Sequence, residues 1–148
     1  MTTILERTED VRAVRAALDV WAAAMAAKDT GGVLEQLTHD CVQFSLAPPL
    51  IAEEDLSGEG LARWFAGWDG PLGFDQHGLV IETGGDIALA HGLTNLRAVA
   101  RGGERVDLWF RQTLGLRREG GRWRISHSHE SVPFYMDGSF KAAVDLRP

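Results

Sequence analysis

The sequence predicts an α+β fold in which three N-terminal helices cover one face of a curved antiparallel sheet shaped like a half-open cone. Before Pro71, apolar residues recur at steps of three and four, which predicts helices; after it, they alternate with polar residues, which predicts strands. The chain has 148 residues, of which 45% are hydrophobic. This size and composition are typical of one compact domain, so residues 1–148 are expected to form a single domain.

Three helices are predicted before Pro71. The first spans Thr8 to Lys28, with Thr8 as its cap, and its apolar stripe comprises Val11, Val14, Leu18, Trp21 and Met25. After a stop at Gly31 and Gly32, a short second helix carries Val33, Leu34 and Leu37. The third is capped by Ser57 and closed by Gly70 and Pro71, and its stripe comprises Leu61, Trp64, Phe65 and Trp68. We expect these stripes to pack on the sheet.

Five strands are predicted from alternation. The first contains Val42, Phe44 and Leu46 and ends at Pro48 and Pro49, after which residues 47–57 are expected to form a loop at a rim or a lid. The other four strands, separated by glycine-containing turns, lie near 74–83, 86–98, 104–118 and 122–131. Short turns join antiparallel neighbours, so these four are expected to form a meander.

Large apolar side chains stand on both faces of the predicted strands. The helices can cover only one of these faces. We therefore expect a second subunit to cover the other face, which makes the protein a homodimer.

The charge of the chain argues against several classes of partner. With 15 Lys and Arg against 21 Asp and Glu, the formal net charge is −6, which disfavours nucleic acid and anionic membranes. The apolar stretch from Val20 to Ala27 is too short to span a bilayer, and we expect a cytoplasmic protein. Cys41 is the single cysteine and is expected to be a buried, inert thiol.

Several stretches resemble the SnoaL-like and ketosteroid-isomerase-like branch of the NTF2-like superfamily. They are WAAAMAAKD at Trp21–Asp29, FSLAPPL at Phe44–Leu50, WFAGWDGP at Trp64–Pro71, DLWFRQT at Asp107–Thr113 and GRWRISHSHESVPF at Gly121–Phe134. The resemblance implies the cone-shaped, cystatin-like α+β barrel, a dimer and a small-molecule pocket. It leaves the activity open, because the superfamily contains isomerases, cyclases, epoxide hydrolases, dehydratases and binding modules on one fold.

The chain departs from the steroid isomerases, which use a tyrosine on the first helix and an aspartate base on the first strand. Trp21 stands at the tyrosine position, and Phe44 and Ser45 end the first strand in place of the aspartate. If the chain is an enzyme, we therefore expect it to work without that Tyr/Asp pair.

On the third meander strand, Asp107, Trp109 and Arg111 are predicted to lie on one face, which places two charged residues in one row. Asp107 and Arg111 lie about 13 Å apart along the strand, so each needs another partner. The candidates are His91, Asn95 and Arg97 on the preceding strand and His129 on the following one. The functional interpretation is that Arg111 holds a carboxylate or enolate oxygen beside Trp109; the alternative is a structural or dimer-interface network. The opposite face, from Val106 to Leu116, is assigned no chemistry.

His127 and His129 are predicted to share a face with Trp123 and Ile125. A His-x-His pair can chelate a metal, with His91 or Asp107 as a third ligand, but no third ligand is evident from the sequence and no metal site is predicted. Imidazole is suited to proton transfer near neutral pH, so the two histidines are candidate acid or base groups.

Aromatic residues are expected to wall a pocket that the first and third helices close. The candidates are Trp21, Phe44, Trp64 and Trp68, with Phe65 beside them. In this pocket, the predicted polar contacts are His91, Arg111 and His129, with Asp107, His127 and Asn95 nearby.

The predicted function is a cofactor-free proton-transfer enzyme of isomerase, cyclase or dehydratase type that acts on a hydrophobic or polyketide-like molecule. In that prediction a histidine moves the proton and Arg111 stabilises negative charge. The sequence leaves two alternatives open, a non-catalytic ligand-binding module and an oligomerisation module.

Overall fold

The computed structural model describes residues 3–53 and 57–148 and confirms the α+β class. Its elements in chain order are α1 (Ile4–Ala27), α2 (Thr30–Glu35), β1 (Leu37–Phe44), β2 (Ala52–Glu53), α3 (Glu59–Ala66), β3 (Trp68–Gly84), β4 (Ile87–Ala100), β5 (Arg105–Glu119) and β6 (Arg122–Ser131). One curved sheet has the strand order β2-β1-β6-β5-β4-β3. The strands β3 to β6 form the predicted antiparallel meander, whereas β1 runs parallel to β6. Residues 54–56 of the predicted loop lie outside the described residues.

The first helix begins and ends at residues other than those predicted. Thr3, not Thr8, is the cap: its hydroxyl accepts from the Glu6 N–H at 3.2 Å, and the Glu6 carboxylate accepts from the Thr3 N–H at 2.6 Å. The chain leaves α1 at Lys28, which adopts a left-handed φ of 56°. Asp29 then caps α2 by accepting from Gly32 N–H, so the predicted glycine stop lies inside the second helix.

Two apolar residues predicted to be helical belong to strands. Leu37 opens β1, and Trp68 opens β3, where it pairs with Ala100. Leu37 is buried and Trp68 is half-buried, as apolar residues on the inner side of a helix would also be. Helical spacing alone therefore misassigned both residues. No helix within residues 3–53 and 57–148 is long and apolar enough to span a membrane.

The sheet has two faces of different character. The face that packs against α1, here called the core face, carries Phe110, Gln112, Leu114 and Leu116 of β5, all buried. The opposite face, here called the outer face, carries the other parity of β5, which is half-buried or exposed. Val14, Leu18, Trp21 and Ala24 of α1 form the buried stripe that covers the core face.

A β-bulge at Ser126 reverses the facing of β6. Leu116 pairs with Ile125, but the next residue of β5, Gly115, pairs with His127, so Ser126 is an extra residue. Trp123 and Ile125 therefore point to the core, whereas His127 and His129 point to the outer face. The prediction that these four share one face is wrong, because simple alternation across the strand does not include the extra residue.

Two single-residue deletions test the role of this bulge. Deleting Ser126 closes the bulge and keeps the pairing of Gly115 with His127, so we expect it to cost only about 1 kcal/mol, for the lost 3.2 Å hydrogen bond to the Gly115 carbonyl. Deleting Ser128 instead turns His129 toward the core and Glu130 toward the outer face, and we expect it to lower the free energy of unfolding by roughly 4 kcal/mol or more. Urea unfolding of both variants measures the difference. Equal costs of the two deletions would contradict the assignment.

Candidate functional site

Most of the side chains predicted to form the site lie together on the outer face. They are Phe44, His91, Asn95, Asp107, Trp109, Arg111, His127 and His129. A row across β4, β5 and β6 places His91 opposite Thr113 and Thr113 opposite His129. The Phe44 ring meets the rings of both β6 histidines edge-on, with centroid distances of 4.8 Å to His127 and 5.3 Å to His129.

The polar groups of the outer face are only partly paired. Asn95 Nδ2 donates to Asp107 Oδ1 at 2.8 Å, which confirms Asn95 as a partner of that carboxylate. Arg97 is paired with Asp75. Arg111 Nε donates to Ser131 Oγ at 3.1 Å.

The predicted aromatic pocket does not include these polar residues. On the core side, the Trp21 and Phe74 rings meet edge-on with a centroid distance of 5.3 Å. The rings of Trp64 in α3 and of Trp68 have a centroid distance of 5.8 Å. His91, Arg111 and His129 point away from that side. The prediction that both sets line one pocket is wrong: the parity of β4 and β5 and the Ser126 bulge in β6 separate them. The catalytic roles assigned to the histidines and Arg111 stay predictions.

A polar network lies on the core face, where the sequence analysis assigned no chemistry. Gln112 Oε1 accepts from Thr94 Oγ1 at 2.9 Å and from Gln76 Nε2 at 3.3 Å. Gln112 Nε2 donates to Glu130 Oε1 at 2.9 Å. Because two donors hold the amide oxygen, the amide nitrogen is directed at the carboxyl group of Glu130. The network thus joins β3, β4, β5 and β6.

Glu130 is the ionisable group of this network. Burial raises the pKa of its carboxyl group above the ordinary value, and the hydrogen bonds from the Gln112 amide and the Leu46 backbone oppose that rise in part. A carboxyl group with a raised pKa exchanges its proton closer to neutral pH than an exposed glutamate does. This property makes Glu130 a candidate acid or base.

The two ends of the core face differ in burial. Toward the β3–β4 turn, Ala90, Leu114 and Leu116 are at most 1% exposed. Toward the other end, where β3 and β5 begin, Trp68 and Leu108 are only half-buried although they pack on the same core. This less buried end is here called the open end of the core face.

The sequence contained a signal for this site. Gln112 is the one polar residue in the alternating series Val106, Leu108, Phe110, Gln112, Leu114 and Leu116, and Glu130 is the acidic residue in the same register of the neighbouring strand. A buried polar side chain among leucines needs a partner, which points to a network. Within the described residues, no group of three or more His, Cys, Asp or Glu side chains is placed to hold a metal ion.

The comparisons with known proteins agree with this fold. A family model described as a SnoaL-like domain matches residues 14–135, so the chain belongs to the SnoaL-like family, as the sequence resemblance predicted. A comparison with curated protein sequences finds no match.

Solved structures with the same fold include an NTF2-like protein of unknown function from Pseudomonas putida KT2440. It is 29% identical, the match covers 95% of this chain and 98% of that one, and the TM-score is 0.82. A candidate dehydratase of the NTF2-like family from Streptomyces avermitilis is 17% identical over 84% and 97% of the two chains, with a TM-score of 0.75. A ketosteroid isomerase-like protein from Erwinia carotovora atroseptica is 20% identical over 83% and 95%, with a TM-score of 0.70. At such identities the last two similarities show the fold alone.

The raised pKa of Glu130 predicts how stability depends on pH. An acid with a higher pKa in the folded chain binds its proton more tightly there, so its contribution to stability falls as the pH rises from about 4.3 through the raised pKa. The free energy of unfolding of the wild type, minus that of Glu130→Gln, should decrease over this range and then level off. Urea unfolding at a series of pH values measures the difference; a difference independent of pH would contradict the burial of this carboxyl group.

Proposed function

We propose that this SnoaL-like chain is a cofactor-free proton-transfer enzyme of isomerase, cyclase or dehydratase type that acts on a hydrophobic molecule at the open end of the core face. The observation that carries the proposal is the hydrogen-bonded carboxyl group of Glu130, whose pKa burial raises. In this proposal Glu130, and not a histidine, moves the proton.

The network supports this role because it holds the carboxyl group in one orientation. Gln112 Nε2 binds one oxygen of Glu130, while Thr94 and Gln76 keep the Gln112 amide from rotating. A fixed carboxyl group with a raised pKa can take a proton from a carbon acid and return it at another position. Isomerisation, dehydration and aldol-type cyclisation all begin with such a transfer next to a carbonyl group.

The surroundings of the network support a hydrophobic ligand. Phe74 and Phe110 of the core face and Trp68 near α3 provide apolar and aromatic surface around it. The four side chains of the network include one ionisable group, Glu130, and no cation. The polar part of the ligand would therefore be a carbonyl or hydroxyl group rather than a carboxylate.

Exchange of carbon-bound hydrogen for deuterium tests the proposal. Wild-type protein is incubated in D2O with apolar ketones such as 2-tetralone and 1-indanone, and loss of the α-hydrogen signal is followed by NMR. Glu130→Gln keeps the size and the hydrogen bond from Gln112 but cannot accept the proton. We expect the variant to lower the exchange rate by about 100-fold or more.

His129→Gln is the matched control, because His129 lies one residue away on the outer face. If Glu130 carries the proton, the exchange rate of this variant should stay within about twofold of the wild type. A loss of exchange in His129→Gln with full activity in Glu130→Gln would restore the histidine as the proton carrier. Binding of the ketones by the wild type without exchange above buffer would favour the ligand-binding module.

We also propose the homodimer that the sequence predicts, with the outer face as the shared surface. On this face Val80 and Leu89 remain 47% and 43% exposed, and the neighbouring Ile87 is 57% exposed. A second copy is the occupant that would cover the same apolar surface on both chains. The cytoplasmic location and the lack of a nucleic-acid partner stay predictions from the sequence.

Light scattering tests the dimer. We expect the wild type to have the mass of two chains at micromolar concentration and Leu89→Lys to raise the dimer dissociation constant by about tenfold or more, because it places a charge in an apolar contact. Val20→Lys is the control, since Val20 is 53% exposed on α1, away from the outer face. Equal effects of the two variants, or a wild-type monomer, would contradict the proposal.

A further inference from the structure

Four of the five histidines lie on the outer face, in three adjacent rows that run across the sheet. Each row consists of residues that stand opposite each other on neighbouring strands, and each contains at least one histidine. The central row, from β3 to β1, is Val80, His91, Thr113, His129 and Phe44. The flanking rows are Glu82, Leu89, Gly115, His127 and Val42 on one side, and His77, Leu93, Arg111 and Ser131 on the other.

One of these histidines lies among the apolar side chains of the proposed dimer surface. His91 stands opposite Val80 and is two residues from Leu89 on the same face of β4. Its side chain is exposed in the single chain. A second copy that covers Val80 and Leu89 must therefore also cover His91. In a two-fold dimer the same patch of both copies takes part, so the contact contains each of its histidines twice.

The charged side chains beyond the ends of the three rows are matched in sign. They are Asp75 with Arg97 and Asp107 with Arg147 at one end, and Asp40 and Glu119 with Arg117 and Arg124 at the other. These groups add little net charge to the outer face.

Within the rows, the charge depends on the histidines. Arg111 and Glu82 are the other ionisable side chains there, one of each sign. Protonation of all four imidazoles would therefore add four positive charges to a nearly neutral patch on each copy. Pro148 lies beside His77 and His91. Even if its carboxyl group counts as a second acid, the cations of the protonated patch outnumber the carboxylates.

We infer that the outer face is a pH-dependent surface for association of two copies of this chain: the copies associate while the imidazoles are neutral and separate as the rings take up protons below about pH 6.5. The inference rests on the homodimer proposed above and adds its regulation. Covering a charged ring without a carboxylate partner is costly, and the added charges of one copy would face those of the other.

The direction of the pH dependence follows from proton linkage. The free chain keeps the rings in water and binds protons there more readily than the dimer, which covers them. Lowering the pH through about 6.5 therefore favours the free chain, and the dimer dissociation constant rises. Above about pH 7.5 the rings are neutral in both states, so the constant no longer changes with pH on their account.

Light scattering over a concentration series at pH 8.0 and pH 6.0, at fixed ionic strength, tests the inference. We expect the dissociation constant of the wild-type dimer to be about tenfold or more higher at pH 6.0. His91→Gln is neutral at both pH values and should reduce this ratio by about threefold or more. His39→Gln is the matched control, because His39 is the fifth histidine, exposed on β1 and outside the three rows; it should leave the ratio within about 1.5-fold of the wild type.

The outcomes separate this inference from the dimer itself. A wild type that is monomeric at pH 8.0 overturns both. A wild-type dimer with equal dissociation constants at the two pH values overturns the pH dependence alone, as do equal ratios for His91→Gln and His39→Gln. Glu130→Gln should keep the wild-type ratio, since Glu130 belongs to the core face; loss of the ratio in this variant would assign the proton to Glu130 and overturn the inference. Circular dichroism at both pH values establishes that each variant is folded.

Discussion

The pairing of β5 with β6 around the Ser126 bulge decides which side chains face the helices and which face outward. Leu114 and Leu116 must meet α1, because they are large apolar residues at the centre of the sheet. Their parity then directs Gln112 to the core face and Arg111 to the outer face. The extra residue in β6 keeps Ile125 in the core and still allows Glu130 to reach Gln112. If Ser126 alternated regularly instead of forming a bulge, Glu130 would face outward and the network would not form.

The fold could be predicted because its signals are local and repeated. The stripe of Val14, Leu18 and Trp21 and the long alternating segments after Pro71 each depend on spacing alone, and the family resemblance agreed with them. Boundaries were less predictable: Trp68 has helical spacing but pairs with Ala100, which lies in a distant part of the sequence. Long-range pairing is not visible in a short window of sequence.

The candidate site was harder to predict, for a physical reason. The sequence analysis correctly placed Asp107, Trp109 and Arg111 on one face of β5 but did not determine which face the helices would cover. It placed His129 on the face of Ile125, because a one-residue bulge has no clear sequence signal. An error of one residue in a strand exchanges the two faces, so a correct fold coexisted with a predicted pocket whose members lie on opposite faces of the sheet.

The hydrogen bonds of Glu130 explain how a stable core can hold an ionisable group. An unpaired polar group among the fully buried leucines would cost stability, so a carboxyl group can be kept there only if its hydrogen bonds are satisfied. Gln112 meets this requirement: its nitrogen binds the acid while its oxygen binds Thr94. Burial raises the pKa of the Glu130 carboxyl group, and the hydrogen bond from Gln112 opposes that rise in part, so the network keeps a desolvated ionisable group inside the core.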